Sequence, residues 1–140
     1  MLANAPVYVS LPTTDLPRAR RFYEQTLGLP VEVVGGPEPG NPHLRGRVVY
    51  RAGGGTMLSL YERPPSRAEH TAAFFVVDDF DRTIVDLRAR GLTLQDYDLP
   101  HVKTQDGVLV SPDTGRRAWF ADPDGNVLGL FERPFLTPGD

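Results

Sequence analysis

One ending is written twice in this 140-residue chain: residues 58–64 read LSLYERP and residues 128–134 read LGLFERP. Each copy is an apolar run with strand-like alternation, closed by the same Glu-Arg-Pro. Such an echo, half a chain apart, predicts two copies of one supersecondary unit. The second copy follows Asp122-Pro-Asp-Gly-Asn126, a cluster of turn-forming residues. DPDGN is therefore predicted as a tight turn between the last two strands.

The chain between the two endings repeats in order as well. In the first half, Val7–Leu11 is a β-branched and aromatic run, hence a strand. Asp15 is placed to cap a helix with Pro17 in its first turn, and Leu16, Ala19, Phe22, Tyr23 and Leu27 recur at helical spacing up to Gly28. That predicts a helix over 15–27. Val31–Val34 restarts a strand, 35–42 is a Gly/Pro loop, and Val48–Arg51 with Met57–Tyr61 form a hairpin around Gly53-Gly54-Gly55. Residues 63–69 read as the linker. In the second half Thr71–Val77 is a strand and Asp79 caps a helix to about residue 90. Thr93–Tyr97 is the next strand, 98–115 a long loop around a possible short strand at 108–110, and Arg117–Ala121 with Val127–Phe131 the closing hairpin. Each half is thus expected to be strand, helix and three strands.

Composition narrows the partners. Gly and Pro number 14 each, above the usual ~7% and ~5% of a chain, and they are spread between apolar runs as turns. A net charge of −3 argues against nucleic acid or an acidic membrane surface as partner. The arginines at 18, 20 and 21 and at 116 and 117 are expected on a solvated helix face and a strand edge. Without cysteine there is no disulfide, thiolate nucleophile or Cys-based zinc site. The first residues lack the basic and apolar segments of a signal peptide, and no apolar run reaches the ~20 residues of a membrane span. A cytoplasmic protein is the expectation.

The two βαβββ modules, the segment TTDLPRARRFYEQTLGL at 13–29, and DPDGN leading into a strand resemble the vicinal oxygen chelate superfamily. That group includes glyoxalase I, extradiol dioxygenases, fosfomycin resistance enzymes and bleomycin resistance proteins. The resemblance implies an α+β fold, with module one at about 5–62, module two at about 70–133, and curled mixed sheets forming a half-barrel cavity. It also implies a homodimer. Its metal-dependent members carry a ligand, usually His or Glu, on each of four inner strands. Counting back from the two helix caps, and aligning the repeated endings, puts those positions at Tyr8, Ala72, Ser59 and Gly129. A catalytic metal needs about three protein ligands, and none of these four is a credible one. The expectation is no metal and no cofactor.

Strand alternation separates the faces. Val7, Val9, Leu11, Leu58, Leu60, Phe75, Val77, Leu128 and Leu130 are expected to pack under the helices. The opposite face is mixed. Tyr8, Ser59, Tyr61, His70, Phe74, Trp119 and Phe131 are the candidate ligand-binding residues on it, an apolar and aromatic wall with a few polar groups. The leading expectation is a metal-independent protein that binds an aromatic or drug-like small molecule, as bleomycin resistance proteins do. The alternative is a glyoxalase- or dioxygenase-related enzyme with a shifted or degenerate metal site using His70. His43 and His101 fall in predicted loops. Ser59 with His70 lacks an orienting acid, Asp122 and Asp124 read as turn chemistry, and Gly53–Gly55 joins strands and leads into no helix, so it is no phosphate loop.

Overall fold

The computed structural model describes residues 3, 8–36, 45–67, 70–100, 102–111 and 115–132. Val7, His43, His101 and the Arg133-Pro134 end of the second repeat lie outside them, as does most of the predicted loop 35–42. The chain divides into two compact units, Met1–Ala68 and Glu69–Asp140.

The first unit contains β1 (Tyr8–Thr13), α1 (Leu16–Arg21), β2 (Val31–Gly35), β3 (Arg47–Arg51) and β4 (Met57–Glu62), in a mixed sheet of order β1-β4-β3-β2. The opening strand β1 lies parallel to the closing strand β4, with Ser10 opposite Ser59 and Leu11 opposite Leu60. Asp15 caps α1 as predicted, its Oδ1 accepting from the Arg18 N–H at 3.1 Å. After Arg21 the coil widens into a π-helical stretch, Phe22–Thr26, where the Leu27 N–H reaches the Phe22 carbonyl. Gly28 then takes the left-handed conformation expected of it, with φ 72°.

Tyr23, on that wide turn, is fully buried and stacks on Tyr50 of β3 at 6.1 Å between ring centres. Tyr50 therefore faces the helix, and its row-mates Leu58 and Val9 do too. The Tyr50 hydroxyl donates to Glu24 Oε2 at 2.8 Å, and Arg20 donates to the same carboxylate oxygen at 2.7 Å. Burial first, and then the Glu24 hydrogen bond, push the Tyr50 phenol well above its ordinary 10.0. The fold thus favours the neutral phenol. Its contribution is complete below pH 10 and is lost as pH rises beyond it. Wild-type stability, compared with Tyr50→Phe, should fall above about pH 10 by up to about 1.4 kcal/mol per pH unit. Denaturant melts of both proteins between about pH 8 and 11 test this, and parallel curves would refute it.

The second unit contains β5 (Thr71–Val77), α2 (Phe80–Ala89), β6 (Asp98–Leu99), β7 (Val102–Lys103), β8 (Val108–Ser111), β9 (Gly115–Ala121) and β10 (Val127–Glu132). Its main sheet has the order β5-β10-β9-β8, again with opening and closing strands parallel. Asp79 caps α2 through the Arg82 N–H, and Gly91 ends it with φ 90°. The prediction of a strand at Thr93–Tyr97 is corrected. Leu92 and Leu94 are buried with the right alternation, and Gln95 donates to the Trp119 carbonyl at 2.7 Å, but among the described residues the stretch forms no strand. The ladder position beside β9 is taken instead by Val108–Ser111, the stretch read as a possible short strand.

DPDGN forms the tight turn between β9 and β10. Asp122 is buried, and its Oδ1 accepts from the Asp124 and Asn126 N–H groups, both at 2.9 Å. Gly125 supplies φ 82°. Both units thus have the α+β, βαβββ-like layout read from the sequence, each carrying its apolar strand face against its own helix side: Leu11, Leu58, Leu60, Leu128 and Leu130 are all buried.

Candidate functional site

The faces away from the helices differ between the units. In the first, the ladder puts Tyr8 beside Met57, Ser10 beside Ser59, and Pro12 beside Tyr61, so three predicted residues, Tyr8, Ser59 and Tyr61, share one face. Tyr8 is 61% exposed and Met57 38%, while Ser59 is buried and donates to Ser10 Oγ at 3.0 Å. Tyr8 and Tyr61 sit at opposite ends of the strand pair, so this face offers two separate aromatic side chains. A depression of about 550 Å3 opens at the hairpin end of this sheet, lined by Leu29, Pro30, Arg51, Met57 and the Gly53–Gly55 turn. It holds none of the seven predicted residues, and its one cation, Arg51, is ion-paired with Glu32 at 2.6 Å.

In the second unit the predicted residues converge. The register places Phe74, Gly129 and Trp119 in one row, and Val76, Phe131, Arg117 and Leu109 in the next. The Phe74 ring meets Phe131 edge-on at 5.4 Å and Trp119 at 6.2 Å. Trp119 and Phe131 are buried, whereas Phe74 is 38% exposed and forms the accessible top of the cluster.

Gly129 explains why the rings can gather. A Cβ built there would lie 2.3 Å from the Phe74 ring, so the ring occupies the space a side chain would need. Aromatic rings in this edge-to-face arrangement contribute about 0.5–1.5 kcal/mol per pair beyond burial.

Two members of the cluster are not among the residues expected from the sequence. Tyr97 meets Trp119 edge-on at 5.6 Å. It is held there because its N–H donates to Thr104 Oγ1 at 2.8 Å and its hydroxyl donates to Gln95. Arg117 lays its guanidinium 5.2 Å from the centre of the Phe131 ring and 5.9 Å from that of Trp119. The expectation of Arg116 and Arg117 on a strand edge is corrected: β9 is an interior strand, and alternation sends one arginine to each face. That alternation is the signal the sequence offers. Arg116, on the helix side, lies over Phe80 and binds Asp81 at 2.6 Å and Glu132 at 2.9 Å. Its hydrogen bonds, and then its charge, hold the Asp81 and Glu132 carboxyls below their ordinary values.

His70 stands apart. It is exposed and precedes β5. A bulge follows, because Thr71 pairs with Val127 and Ala73 with Leu128, which leaves Ala72 as an extra residue. Simple alternation from Phe74 back to His70 is therefore broken. The four positions counted from the resemblance do not fit a metal: Gly129 and Ala72 carry no donor, Ser59 is bonded to Ser10, and the space above Gly129 is filled by a ring. Among the described residues no three His, Asp or Glu side chains are grouped as a metal site. Nor, among them, is any helix long and apolar enough to cross a membrane.

The profile of the Glyoxalase/Bleomycin resistance protein/Dioxygenase superfamily matches residues 5–130. The chain belongs to that superfamily. Comparison with curated proteins gave no match. Among solved structures of the superfamily's fold, TnmS3, an antibiotic binding protein from Streptomyces sp. CB03234, is 25% identical with a TM-score of 0.65, over 94% of this chain and 98% of that one. A glyoxalase/bleomycin resistance protein from the same organism is 24% identical with a TM-score of 0.63, over 91% and 99%. A glyoxalase family protein from Enterococcus faecalis, 20% identical with a TM-score of 0.71 over 94% and 100%, shares the fold. In this superfamily member, then, the aromatic cluster stands on the sheet face opposite the helix.

Proposed function

We propose that this protein binds a planar aromatic small molecule against the face built by Phe74, Trp119 and Phe131, without a metal ion. The observation that carries the reading is the ring of Phe74 resting over Gly129, half-exposed and braced by two buried aromatic side chains. A braced ring presents a stacking surface at small cost in side-chain freedom. The likeness to an antibiotic binding protein supports the same reading. Donor chemistry supports it too, since the positions where metal-dependent relatives would hold their ion carry no adequate set.

Trp119 is the one tryptophan of the chain, so its fluorescence reports on this face directly. Titrating the protein with planar aromatic compounds of neutral, cationic and anionic type should change that emission saturably for at least one of them. Gly129→Ala should then weaken the compound that binds by about three- to tenfold, because the displaced Phe74 ring removes one aromatic contact. Its cost in stability should be about 1–3 kcal/mol, because the added Cβ must displace a ring that is packed against Trp119 and Phe131. No saturable change with any compound, or undiminished binding by Gly129→Ala, would overturn the proposal.

A further inference from the structure

Arg117 gives the same face a charge, and with it a choice of ligand. It stands in the row of Val76, Phe131 and Leu109, and its guanidinium lies over both Phe131 and Trp119. The adjacent Arg116 serves the opposite face, where Asp81 and Glu132 balance it. A strand that needed only packing at position 117 would be expected to carry an apolar residue between Phe131 and Leu109. Instead it carries a half-buried cation seated against ring surfaces.

A guanidinium near a ring face keeps N–H donors at its rim, and its five donors leave room for a carboxylate beside its other contacts. Arginine binds carboxylate through two parallel hydrogen bonds, stronger than neutral ones. Partial burial strengthens the attraction further.

Building on the reading that this face takes an aromatic ligand, we infer that the ligand is an aromatic acid, whose rings meet Phe74 and whose carboxylate is received by Arg117. Arg117 is then the residue that selects among aromatic compounds of similar shape.

Two probes of matched shape separate the ideas: 2-naphthoate, which is anionic, and 2-naphthamide, which is neutral. Calorimetry on the full chain should show the acid binding about tenfold tighter than the amide, the scale of one charge-assisted pair. Raising the salt concentration should reduce that ratio by weakening the acid alone. Arg117→Gln should bring the two probes within about twofold of each other by weakening the acid more than the amide, and Arg117→Lys should restore part of the preference. Equal affinities in the wild type, a ratio indifferent to salt, or a preference surviving in Arg117→Gln would each overturn the inference and leave aromatic binding standing. Should Arg117→Gln fail to fold, the wild-type ratio and its salt dependence still decide the matter. Failure of both probes, together with every other aromatic compound, would bring down the underlying reading as well.

Discussion

Leu60→Ala and Leu130→Ala should each lower the unfolding free energy by about 2–5 kcal/mol, the range for emptying a packed core position. Both side chains are buried beneath the helix side of their sheets. Leu60 stands in register with Leu11 and Val48, and Leu130 with Phe75 and Ala118. Tyr8→Phe, on the other face and 61% exposed, should change stability by no more than about 0.5 kcal/mol. Urea melts of the three variants give the comparison. If Leu60→Ala melts like the wild type while Tyr8→Phe unfolds, the two faces have been assigned the wrong way round, and the site residues with them.

The other large effect is expected at the turn between β9 and β10. Asp122→Ala removes the acceptor for two backbone N–H groups and for the Asn126 side chain, whose Nδ2 donates to Asp122 Oδ2 at 2.8 Å. Donors left without partners in a buried turn make this loss expensive, about 2–4 kcal/mol. Asp122→Asn, which retains an acceptor for the backbone, should recover part of it. Thermal and urea unfolding of both variants would show the order, and an Asp122→Ala protein as stable as wild type would contradict it. The turn also fixes the hairpin in which Gly129 lies opposite Trp119. Destabilising it should therefore disturb the Trp119 emission before the protein melts globally.

Features governed by neighbours in the chain are legible in the amino-acid sequence alone. Asp15 and Asp79 announce their helices because a cap needs only a short polar side chain and an N–H three residues on. The repeated LSLYERP and LGLFERP endings announce β4 and β10, and their alternation announces which leucines are buried. Phe74 and Phe131 emerge from the alternation of their strands, whereas the repeat does not fix the register of the strand that carries Trp119, and its place beside them is set by the pairing of β9 with β10.

Features that depend on longer-range competition are not legible in this way. Leu92 and Leu94 alternate as a strand would, but the ladder has one place beside β9, and Val108–Ser111 holds it. The bulge at Ala72 shifts parity by one residue and leaves no compositional trace, so counting by twos misplaces His70 relative to Phe74. Arg117 and Tyr97 are hidden for different reasons. An arginine beside another arginine reads as a charged edge until the sheet order is known. Tyr97 reaches the cluster through a loop fixed by hydrogen bonds rather than by apolar spacing.

The parallel pairing of opening and closing strands also bears on how the chain acquires its shape in time. Ser10 meets Ser59 across 49 residues of sequence, and no sheet in that unit is complete until both are present. Closing so long a loop must precede the contacts that repay it, which slows folding relative to a helical bundle of the same size. On the ribosome the first unit has its closing strand in hand before the second has been made. Synthesis order thus favours assembly one unit at a time, and it reduces the chance that two near-identical strand endings exchange partners.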